Sequence, residues 1–302
     1  MMKIVVTGAT SMIGVAFVEA CIDKGHEVLA ILHGESKKID RLPKSDLINI
    51  IYASLGSYND IDIGNERYDA FYHFAWGYTS REGRYDYYGQ EANVRYTLDA
   101  VNLAYRYGCS LFVGAGSQSE YGKVDGIINR DAELNPLVPY SIAKASAYWM
   151  SRQLCHSLGM KHLWPRIFSV YGKYDSTEAM VNYAIIKFLN GEKAYFTSGE
   201  QIWNYISAYD AGQMLLLLCE KDVLEDTYFI AHPESKQLKE FILDIAEAFD
   251  NPCYEFRKNE NKGISIFPNM EHTLKVLKYS PKIDFKTGIR EIADYYKPFC
   301  CK

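Results

Sequence analysis

In the first half of the chain, short runs of apolar residues alternate with longer stretches whose apolar positions recur every three or four residues. The run over residues 4–6 ends at Thr7 and Gly8, and residues 12–24 then follow helical spacing. This pattern predicts a strand, a tight turn and a helix. It predicts a second strand over residues 27–33.

The same alternation continues further along the chain. The other elements that it predicts are strands near residues 47–52 and 69–75, a helix near 85–107 and a buried strand over 110–114. Strands that alternate with helices in this way favour βαβ units with helices on both faces of a sheet. We therefore expect an α/β, Rossmann-like doubly wound parallel sheet over residues 1–172.

The rhythm changes after Tyr171. Helix-like stretches over residues 178–190 and 238–249 alternate there with short polar segments that glycine and proline punctuate. This organisation is typical of a smaller lobe over the carboxyl edge of the sheet. We assign a smaller C-terminal lobe to residues 173–302 and expect some of its segments to return to the first domain.

The predicted turn has the composition of a dinucleotide-binding loop. Residues 7–14 read Thr-Gly-Ala-Thr-Ser-Met-Ile-Gly, and the free N–H groups and dipole of a helix start hold a pyrophosphate. Ser11 stands where a middle glycine would allow the closest approach to the phosphates, so an ordinary strand-to-helix turn is the alternative. The residues that we expect to contact the cofactor here are Gly8, Thr10, Ser11, Met12, Ile13 and Gly14.

The end of the second strand bears on the choice of dinucleotide. An acidic residue there binds the free ribose hydroxyls of NAD, whereas basic residues accommodate the 2′-phosphate of NADP. His33, Ser36 and Lys37 can receive a phosphate, and no carboxylate stands directly at the strand end. These residues favour NADP(H), while Glu35 keeps NAD as the alternative, and a solvated loop is the simpler reading of the charges.

A serine, a tyrosine and a lysine follow the dinucleotide turn in that order. Ser117 lies in a hydroxyl-rich loop, and Tyr140 and Lys144 stand four residues apart behind Pro139, which is suited to starting a helix. On a helix the two side chains share one face, where an ammonium group lowers the pKa of a phenol from about 10. The three residues predict hydride-transfer chemistry, with Tyr140 exchanging the proton and Ser117 bonding the same substrate oxygen.

Spacing alone does not select this pair in a chain with 25 tyrosines. Tyr183 and Lys187 have the same separation, as do Tyr254 and Lys258. Neither of those tyrosines follows a buried strand and a hydroxyl-rich loop, so we interpret them as helix-surface or strand positions. His73 ends a predicted strand, and we interpret it as a hydrogen-bonded core residue.

Composition narrows the class of protein. A net charge of −5 without a stripe of Lys and Arg argues against a nucleic-acid partner. The seven cysteines lack C-x-x-C spacing, which indicates reduced thiols, a cytoplasmic location and no metal site. The leucine run over residues 215–218 is far too short to cross a bilayer. We expect a cytoplasmic protein with no signal peptide, no membrane partner and a small-molecule substrate.

Together these residues resemble the extended short-chain dehydrogenase/reductase family, and within it the NAD(P)-dependent epimerase/dehydratase group that acts on nucleotide sugars. The likeness covers nearly the whole chain. Its further marks are His73-Phe74-Ala75, Asn93-Val94, Tyr121-Gly122, residues 165–172 and residues 277–281. The resemblance implies a Rossmann domain with a C-terminal substrate lobe, NAD or NADP as cofactor, and a homodimer formed through the helices that hold Asn93 and Tyr140.

The resemblance also implies roles for individual residues. Tyr140 is the acid and base, Lys144 its electrostatic partner and a ribose anchor, and Ser117 the polarising hydroxyl. The cofactor residues implied beyond the turn and the strand end are Leu55, Phe74, Ala75, Trp76, Asn93, Tyr140 and Lys144. The substrate residues implied are Trp76, Tyr78, Ser117, Gln118, Ser119, Ser169 and Trp203.

Some departures from the family pattern bear on the reaction. Family 4,6-dehydratases carry an Asp-Glu pair directly after the serine or threonine, whereas this chain has Gln118 and Ser119 there. Glu120 is one position further on, and we expect it to point elsewhere. Dehydration is therefore not expected. Two reactions at sugar C4 stay open, namely epimerisation through a 4-keto intermediate and reduction of a 4-keto sugar.

Other departures concern the substrate. Trp203 stands where family members usually have an arginine for the diphosphate. A second phosphate-binding arginine is also missing from its usual place, unless Arg257, Lys258 or Lys262 stands in for it. Ser169 replaces an asparagine that contacts the nucleotide sugar. These changes favour an unusual nucleotide sugar or a different substrate. A catalytically silent NAD(P)-binding sensor of the same fold is the alternative from another class, although a sensor has no need of the serine, tyrosine and lysine together.

Overall fold

The computed structural model describes residues 1–34, 37–62, 64–257 and 263–300 and divides the chain into two compact units. Unit 1 consists of Met1–Gly122, Arg130–Ile167 and Gly212–Ile230, and unit 2 of Lys123–Asn129, Phe168–Ala211 and Ala231–Lys302. The helices and strands are, in chain order, β1 (Lys3–Thr7), α1 (Met12–Asp23), β2 (Glu27–Leu32), β3 (Ile48–Tyr52), β4 (Ala70–His73), α2 (Tyr87–Arg106), β5 (Leu111–Gly114), β6 (Gly116–Ser117), α3 (Pro139–Ser157), β7 (Lys161–Leu163), β8 (Arg166–Ile167), β9 (Ser169–Tyr171), α4 (Met180–Leu189), β10 (Ala194–Phe196), β11 (Ile202–Trp203), β12 (Tyr205–Ser207), α5 (Ala208–Glu220), β13 (Phe229–Ile230), β14 (Lys236–Gln237), α6 (Leu238–Ala246), β15 (Tyr254–Phe256), α7 (Glu271–Leu277) and α8 (Phe285–Cys300).

Unit 1 is built on a six-stranded parallel sheet with the strand order β3-β2-β1-β4-β5-β7. The chain builds outward on one side of β1 and then crosses to its other side at β4. This is the switch point, where Rossmann-like sheets bind dinucleotides beyond the carboxyl ends of their strands. β1 ends there at Thr7, and β4 ends at His73. The predicted α/β, Rossmann-like fold is confirmed.

Helices cover both faces of this sheet. On one face Phe71 and Phe112 stack with ring centroids 5.8 Å apart, in one cluster with Ala100 of α2. On the other face Phe17 of α1 packs against Tyr72 at 4.1 Å, since adjacent strand residues point to opposite faces. Burial on both faces explains why these strands are continuous apolar runs in the sequence.

A smaller three-stranded sheet in unit 1 positions the serine loop. Its strand order is β13-β8-β6, and Ser117 of β6 pairs with Ile167 of β8. β6 follows β5 after a single residue, Ala115. The loop that carries Ser117 is thus fixed by the strand pairing of β6 immediately beyond the buried strand β5.

Unit 2 has short strand pairs and its own apolar core. The pairs are β9 with β12, β10 with β15 and β11 with β14. Ile185 of α4, Ile242 of α6 and Ile289 of α8 belong to one buried cluster. The helix-like stretches predicted over residues 178–190 and 238–249 correspond to α4 and α6. The helices α7 and α8 of this unit were not predicted, nor was α5, most of which belongs to unit 1.

A buried carboxylate anchors the C-terminal segment of unit 2. Asp210 is fully buried and accepts hydrogen bonds from the Tyr279 hydroxyl at 2.6 Å and from the Lys282 N–H at 2.7 Å. The Ile283 N–H and the Ser207 hydroxyl donate to it as well, at 3.1 and 2.6 Å. The family-like segment 277–281 therefore includes a tyrosine with a structural partner.

Replacing Tyr279 by Phe is expected to lower the free energy of unfolding by about 1.5–3 kcal/mol, because the change removes a hydrogen bond to a buried charged group. Urea unfolding measures the loss. Tyr209→Phe is the control, because Tyr209 is 40% exposed; we expect that variant to change stability by less than about 0.5 kcal/mol. Equal losses in the two variants would contradict the anchoring role of Asp210.

The described ranges were expected to hold no membrane span, no metal site and no disulfide. Each helix in those ranges is too short or too polar to cross a membrane. Within the same ranges no three His, Cys, Asp or Glu side chains are grouped so as to hold a metal ion. The cysteines described are free thiols, of which Cys21, Cys109 and Cys155 are buried.

Candidate active site

The glycine turn lies at the carboxyl end of β1. Gly8 has a φ of 70°, which L side chains rarely adopt, and a Cβ at this position would lie 2.6 Å from the Ala75 nitrogen. A Cβ on Gly14 would lie 2.2 Å from the Gly8 carbonyl oxygen. Gly8 is required by the backbone of the turn, and Gly14 by the close contact between α1 and the turn.

Ser11 is the N-cap of α1. Its hydroxyl accepts a hydrogen bond from the Gly14 N–H at 3.1 Å. Met12 and Ile13 begin the helix, so their N–H groups have no carbonyl one turn earlier within α1. These two amides, together with the positive end of the helix dipole, fit the pyrophosphate of a dinucleotide.

The segment after β2 is the predicted 2′-phosphate site. His33 follows the strand directly, and His33 and Lys37 are both exposed. The predicted segment Glu35-Ser36 lies outside the described residues. Arg41, which the sequence analysis did not single out, donates from its guanidinium to the Thr10 carbonyl at 3.3 Å. A cation therefore lies beside the glycine turn.

The loop after β4 carries Trp76 and Tyr78 and is held by two amides of α2. Asn93 accepts from the Gly77 N–H at 2.8 Å and donates to the Gly77 carbonyl at 3.1 Å. Gln90 accepts from the Trp76 indole N–H at 3.0 Å and donates to the Tyr78 carbonyl at 2.9 Å. Both amides are 1% exposed. Asn93, predicted as a cofactor residue, uses its polar atoms to hold this loop.

Three further predicted cofactor residues lie around the ends of β3 and β4. The Phe74 N–H donates to the Thr7 carbonyl at 3.1 Å, and the Ala75 N–H donates to the Thr7 hydroxyl at 3.4 Å. Leu55 begins a short 3-10 helix after β3, and its Cδ1 would lie 3.6 Å from a Cβ on Gly77. The structure brings Phe74 and Ala75 to the glycine turn and Leu55 to the neighbouring loop.

His73 is a core residue, as the sequence analysis interpreted it. The side chain is 2% exposed, and its Nδ1 shares a 2.8 Å hydrogen bond with the Thr7 hydroxyl. Burial, and to a smaller extent the charge of Lys144, lowers the pKa of His73 to about 3. The imidazole is neutral near pH 7 and serves the structure rather than proton transfer.

Ser117 caps the short 3-10 helix Gln118–Tyr121. Its hydroxyl accepts from the Ser119 N–H at 3.2 Å and lies 2.9 Å from the Ser119 hydroxyl oxygen. Gln118 and Ser119 are half-buried, and both are neutral. The two positions directly after Ser117 thus hold no group that titrates near neutral pH.

Glu120 is turned into the protein interior and is fully buried. One carboxylate oxygen accepts from the Ser117 N–H at 2.7 Å and from the Trp164 indole N–H at 3.1 Å. The other oxygen accepts from Arg166 Nε at 3.1 Å, in a buried ion pair. The carboxylate accepts hydrogen bonds from three donors and holds the backbone at Ser117 in place.

Tyr140 follows Pro139 in the first turn of α3 and is half-buried. Its ring makes an edge contact with Trp76 at 6.2 Å, and the Arg84 guanidinium carbon lies 5.0 Å from its ring centre. Burial raises the pKa of Tyr140, whereas the Arg84 charge and a hydrogen bond with Ser117 lower it. The structure therefore brings Ser117 and Tyr140 together.

Lys144 lies one turn further along α3 and is buried. Its Nζ donates to the Ala115 carbonyl at 2.8 Å and lies 3.5 Å from the centre of the Trp76 ring, against 5.9 Å from that of Tyr140. Burial lowers the pKa of the ammonium group. The ammonium is directed to a carbonyl and an indole face, and the charges that shift the pKa of Tyr140 belong to Arg84 and Glu120.

The predicted substrate residues Ser169 and Trp203 belong to unit 2. Ser169 lies in β9 and Trp203 in β11. Arg257, one of the three possible replacements for a phosphate-binding arginine, is exposed, and its guanidinium lies 4.1 Å from the centre of the Tyr195 ring. The other two replacements are lysines in segment 258–262, which lies outside the described residues.

Sequence reasoning missed three residues that shape this site: Arg84, Gln90 and Arg166. Gln90 could have been found from the sequence, because it stands three residues before Asn93 and so shares its helical face. Arg166 lay inside a segment recognised as family-like, but its partner Glu120 is 46 residues away. Arg84 lies in a polar loop without periodicity, and nothing local indicated that it approaches Tyr140.

A glycine turn at the switch point of a Rossmann-like sheet, with a serine, a tyrosine and a lysine on the following elements, defines an enzyme that uses a nicotinamide dinucleotide. Residues 4–231 match the NAD dependent epimerase/dehydratase family, and the chain belongs to that family. Its members include enzymes of nucleotide-sugar metabolism.

Two relatives and one solved structure show how far the likeness extends. The dTDP-6-deoxy-L-talose 4-dehydrogenase (NAD(+)) of Aggregatibacter actinomycetemcomitans is 25% identical over an alignment of 216 residues that covers 69% of this chain and 77% of that protein. The uncharacterized UDP-glucose epimerase YtcB of Bacillus subtilis (strain 168) is 27% identical over 97% of both chains. UDP-glucuronic acid 4-epimerase from Bacillus cereus in complex with NAD superimposes with a TM-score of 0.83 at 19% identity, covering 99% of this chain and 97% of that one.

Proposed function

We propose that the protein transfers hydride at C4 of a nucleotide sugar, as a 4-epimerase or as a 4-keto reductase, and that it does not act as a 4,6-dehydratase. One observation carries this proposal: Ser117 lies close enough to Tyr140 for a hydrogen bond that lowers the pKa of the phenol, while the nearby Glu120 is buried and accepts hydrogen bonds from three donors. The first pair suits proton exchange at a secondary alcohol. The second feature removes the carboxylate that a dehydration step would need.

Each residue of the site has a defined task. NAD or NADP, when bound, supplies the hydride acceptor or donor. Tyr140 exchanges the proton of the substrate oxygen, and Ser117 donates a hydrogen bond to the same oxygen as charge develops on it. Lys144, held beside the Trp76 ring, is the ribose anchor. Asn93 acts through the loop that it holds.

Dehydration across C5 and C6 of a sugar requires an additional acid and base near the reacting carbons. Gln118 and Ser119 occupy the positions where family dehydratases have carboxylates, and neither side chain exchanges protons near neutral pH. Moving Glu120 into that place would break its ion pair with Arg166 and leave a buried guanidinium without its partner. Redox chemistry at C4 alone is the reaction that these residues support.

The names of the relatives support a nucleotide sugar as substrate, because they specify UDP- and dTDP-linked sugars. Trp203 in place of an arginine indicates that other cations bind the diphosphate, and Arg257 is the described residue that we propose for this. Exposed apolar side chains on α2 and α3, among them Tyr105, Trp149 and Met150, support the homodimer that the family resemblance implies.

The cations near the glycine turn support NADP(H), with NAD as the alternative that the related epimerase complex represents. Replacing Arg41 by Gln is expected to weaken NADPH binding about ten- to a hundredfold, because charge-assisted hydrogen bonds contribute about 1.5–3 kcal/mol, and to leave NADH binding nearly unchanged. Titration calorimetry with each cofactor measures both affinities. An equal loss for NADPH and NADH would assign Arg41 to the glycine turn alone and favour NAD.

The proposal is tested by denaturing freshly purified protein and identifying the dinucleotide that it releases by chromatography and mass spectrometry. Stoichiometric NAD supports an epimerase, because that reaction returns the hydride to the same cofactor. A protein that releases none and prefers NADPH supports a 4-keto reductase, which must exchange its cofactor. A protein that neither releases nor binds a dinucleotide contradicts the proposal.

A further inference from the structure

The aromatic ring of Tyr140 has two cations near it, and they differ in where they are directed. The Lys144 ammonium lies 5.9 Å from the ring centre, and it is bonded to the Ala115 carbonyl at 2.8 Å. The Arg84 guanidinium carbon lies closer, 5.0 Å from the ring centre. The sequence analysis assigns the electrostatic role to Lys144, but the geometry places the Arg84 guanidinium carbon nearer than the Lys144 ammonium to the centre of the ring.

Arg84 is held by its loop in this position. Its Nε donates to the Thr79 carbonyl at 3.3 Å, and its backbone N–H donates to the Ser80 carbonyl at 3.0 Å. The buried amide of Gln90 donates to the carbonyl of the neighbouring residue, Gly83, at 2.9 Å. Among the described residues the anchoring bond uses the Nε–H, so the two terminal NH₂ groups of the guanidinium are not needed for this anchor and can face negative charge.

Three groups outside the Tyr140 side chain shift the pKa of its phenol, and the Lys144 ammonium lies near its ring. Arg84, in the segment before α2, lowers its pKa, and so does the hydrogen bond with Ser117 at the end of β6. Glu120, in the short 3-10 helix after Ser117, raises it. Lys144, on the same helix as Tyr140, lies further from the ring than Arg84. Of the two cations described beside the ring, Arg84 is therefore the one that lowers the pKa of Tyr140 against the effect of burial.

We propose that Arg84 is a positioning residue that acts through Tyr140: its guanidinium stabilises the phenolate form and so sets the pH range in which Tyr140 exchanges a proton. The inference rests on the proposed function, in which Tyr140 is the acid and base. It also explains how the chain can direct Lys144 to the Ala115 carbonyl and the Trp76 ring while a cation remains near the phenol.

The test is the pH profile of kcat/KM for Arg84→Gln, with Arg84→Lys as the conservative variant. A cation within about 4–6 Å lowers the pKa of an acid by about 1–3 units, and Arg84 is exposed, so we expect the midpoint assigned to Tyr140 to rise by about one unit in Arg84→Gln. Oxidation of the alcohol needs the phenolate, so kcat/KM in that direction should begin to rise at a higher pH. Reduction of the ketone needs the protonated phenol, so kcat/KM in that direction should begin to fall at a higher pH. Arg84→Lys keeps a positive charge at this position, so its midpoint should lie close to that of the original protein.

Arg81→Gln is the matched control, because Arg81 is exposed and lies in the same loop; it should leave the midpoint unchanged. An Arg84→Gln profile that coincides with that of the original protein, or an equal shift in Arg81→Gln, overturns the inference. If Arg84→Gln turns over too slowly, a titration of Tyr140 by ¹³C-tyrosine NMR, assigned with Tyr140→Phe, measures the same shift. The proposed function fails separately, when Tyr140→Phe keeps its activity.

Discussion

Replacing Tyr140 by Phe is expected to lower kcat/KM about 10²–10⁴-fold, because the reaction loses the group that exchanges the proton of the substrate oxygen. The ring, its edge contact with Trp76 at 6.2 Å and the start of α3 all remain in this variant. Cofactor affinity should therefore stay close to that of the original protein. Steady-state kinetics and a cofactor titration measure the two effects separately.

Tyr183→Phe is the matched control for this experiment. Tyr183 and Lys187 have the same separation as Tyr140 and Lys144, but Tyr183 lies in α4 of unit 2, where its hydroxyl oxygen accepts from the Tyr195 N–H at 3.1 Å. We expect this variant to keep its activity. Retained turnover in Tyr140→Phe would contradict the assignment of the acid and base. An unchanged biological effect of Tyr140→Phe would instead favour the silent sensor of the same fold.

Replacing Arg166 by Met is expected to lower the free energy of unfolding by about 3–5 kcal/mol, because the change leaves a buried carboxylate without its counter-ion. Arg166 is 4% exposed and Glu120 is fully buried, and the guanidinium also lies 5.0 and 5.1 Å from the rings of Tyr121 and Tyr148. Thermal or urea unfolding measures the loss. Activity should fall as well, since Glu120 holds the backbone at Ser117.

The control for Arg166→Met is Arg152→Met. Arg152 lies 4.0 Å from Glu225, but 36% of its side chain is exposed. Exposed ion pairs contribute about 0–1 kcal/mol, so this variant should lose no more than about 1 kcal/mol of stability. Similar losses in the free energy of unfolding for the two variants would contradict the claim that the buried Glu120–Arg166 pair contributes more to stability than an exposed ion pair.

The alternation of apolar runs predicted the first strands and helices of unit 1 because each element there has a strong local pattern. The strands β1, β2, β4 and β5 are buried on both faces, whereas β3 at the edge of the sheet is not. The helix α1 is apolar and mostly buried, and α2 has one buried face. The glycine turn is equally local, since Gly8 and Gly14 are required by contacts within a few residues or with the adjacent strand end. Such features are visible in one sequence without any knowledge of the tertiary structure.

The helix α5 was not predicted, although it contains a clear apolar run. Its leucine run, residues 215–218, was judged only as a possible membrane segment. In the structure Leu215 is buried in unit 1, where its carbonyl accepts from the Tyr72 hydroxyl at 2.9 Å. An apolar run of this length is typical of a core helix as well.

The electrostatics of the site could not be predicted, because they depend on residues that are far apart in sequence. The spacing of Tyr140 and Lys144 correctly placed both on α3. The direction of the ammonium, however, is set by the Ala115 carbonyl and the Trp76 ring, which come from other elements. Arg84 approaches Tyr140 from a loop without periodicity. A spacing rule fixes which helical face a side chain occupies, but not which partner it meets.

The central claim is that the protein performs hydride transfer at C4 of a nucleotide sugar without removing water. The most direct measurement is to incubate it with NAD and NADPH and a panel of UDP- and dTDP-linked hexoses and 4-keto sugars, and to identify the products by NMR and mass spectrometry. We expect an inverted C4 at unchanged mass, or reduction of a 4-keto sugar by two hydrogen atoms. A 4-keto-6-deoxy product that has lost one water, or no conversion of any sugar in the panel, would contradict the account.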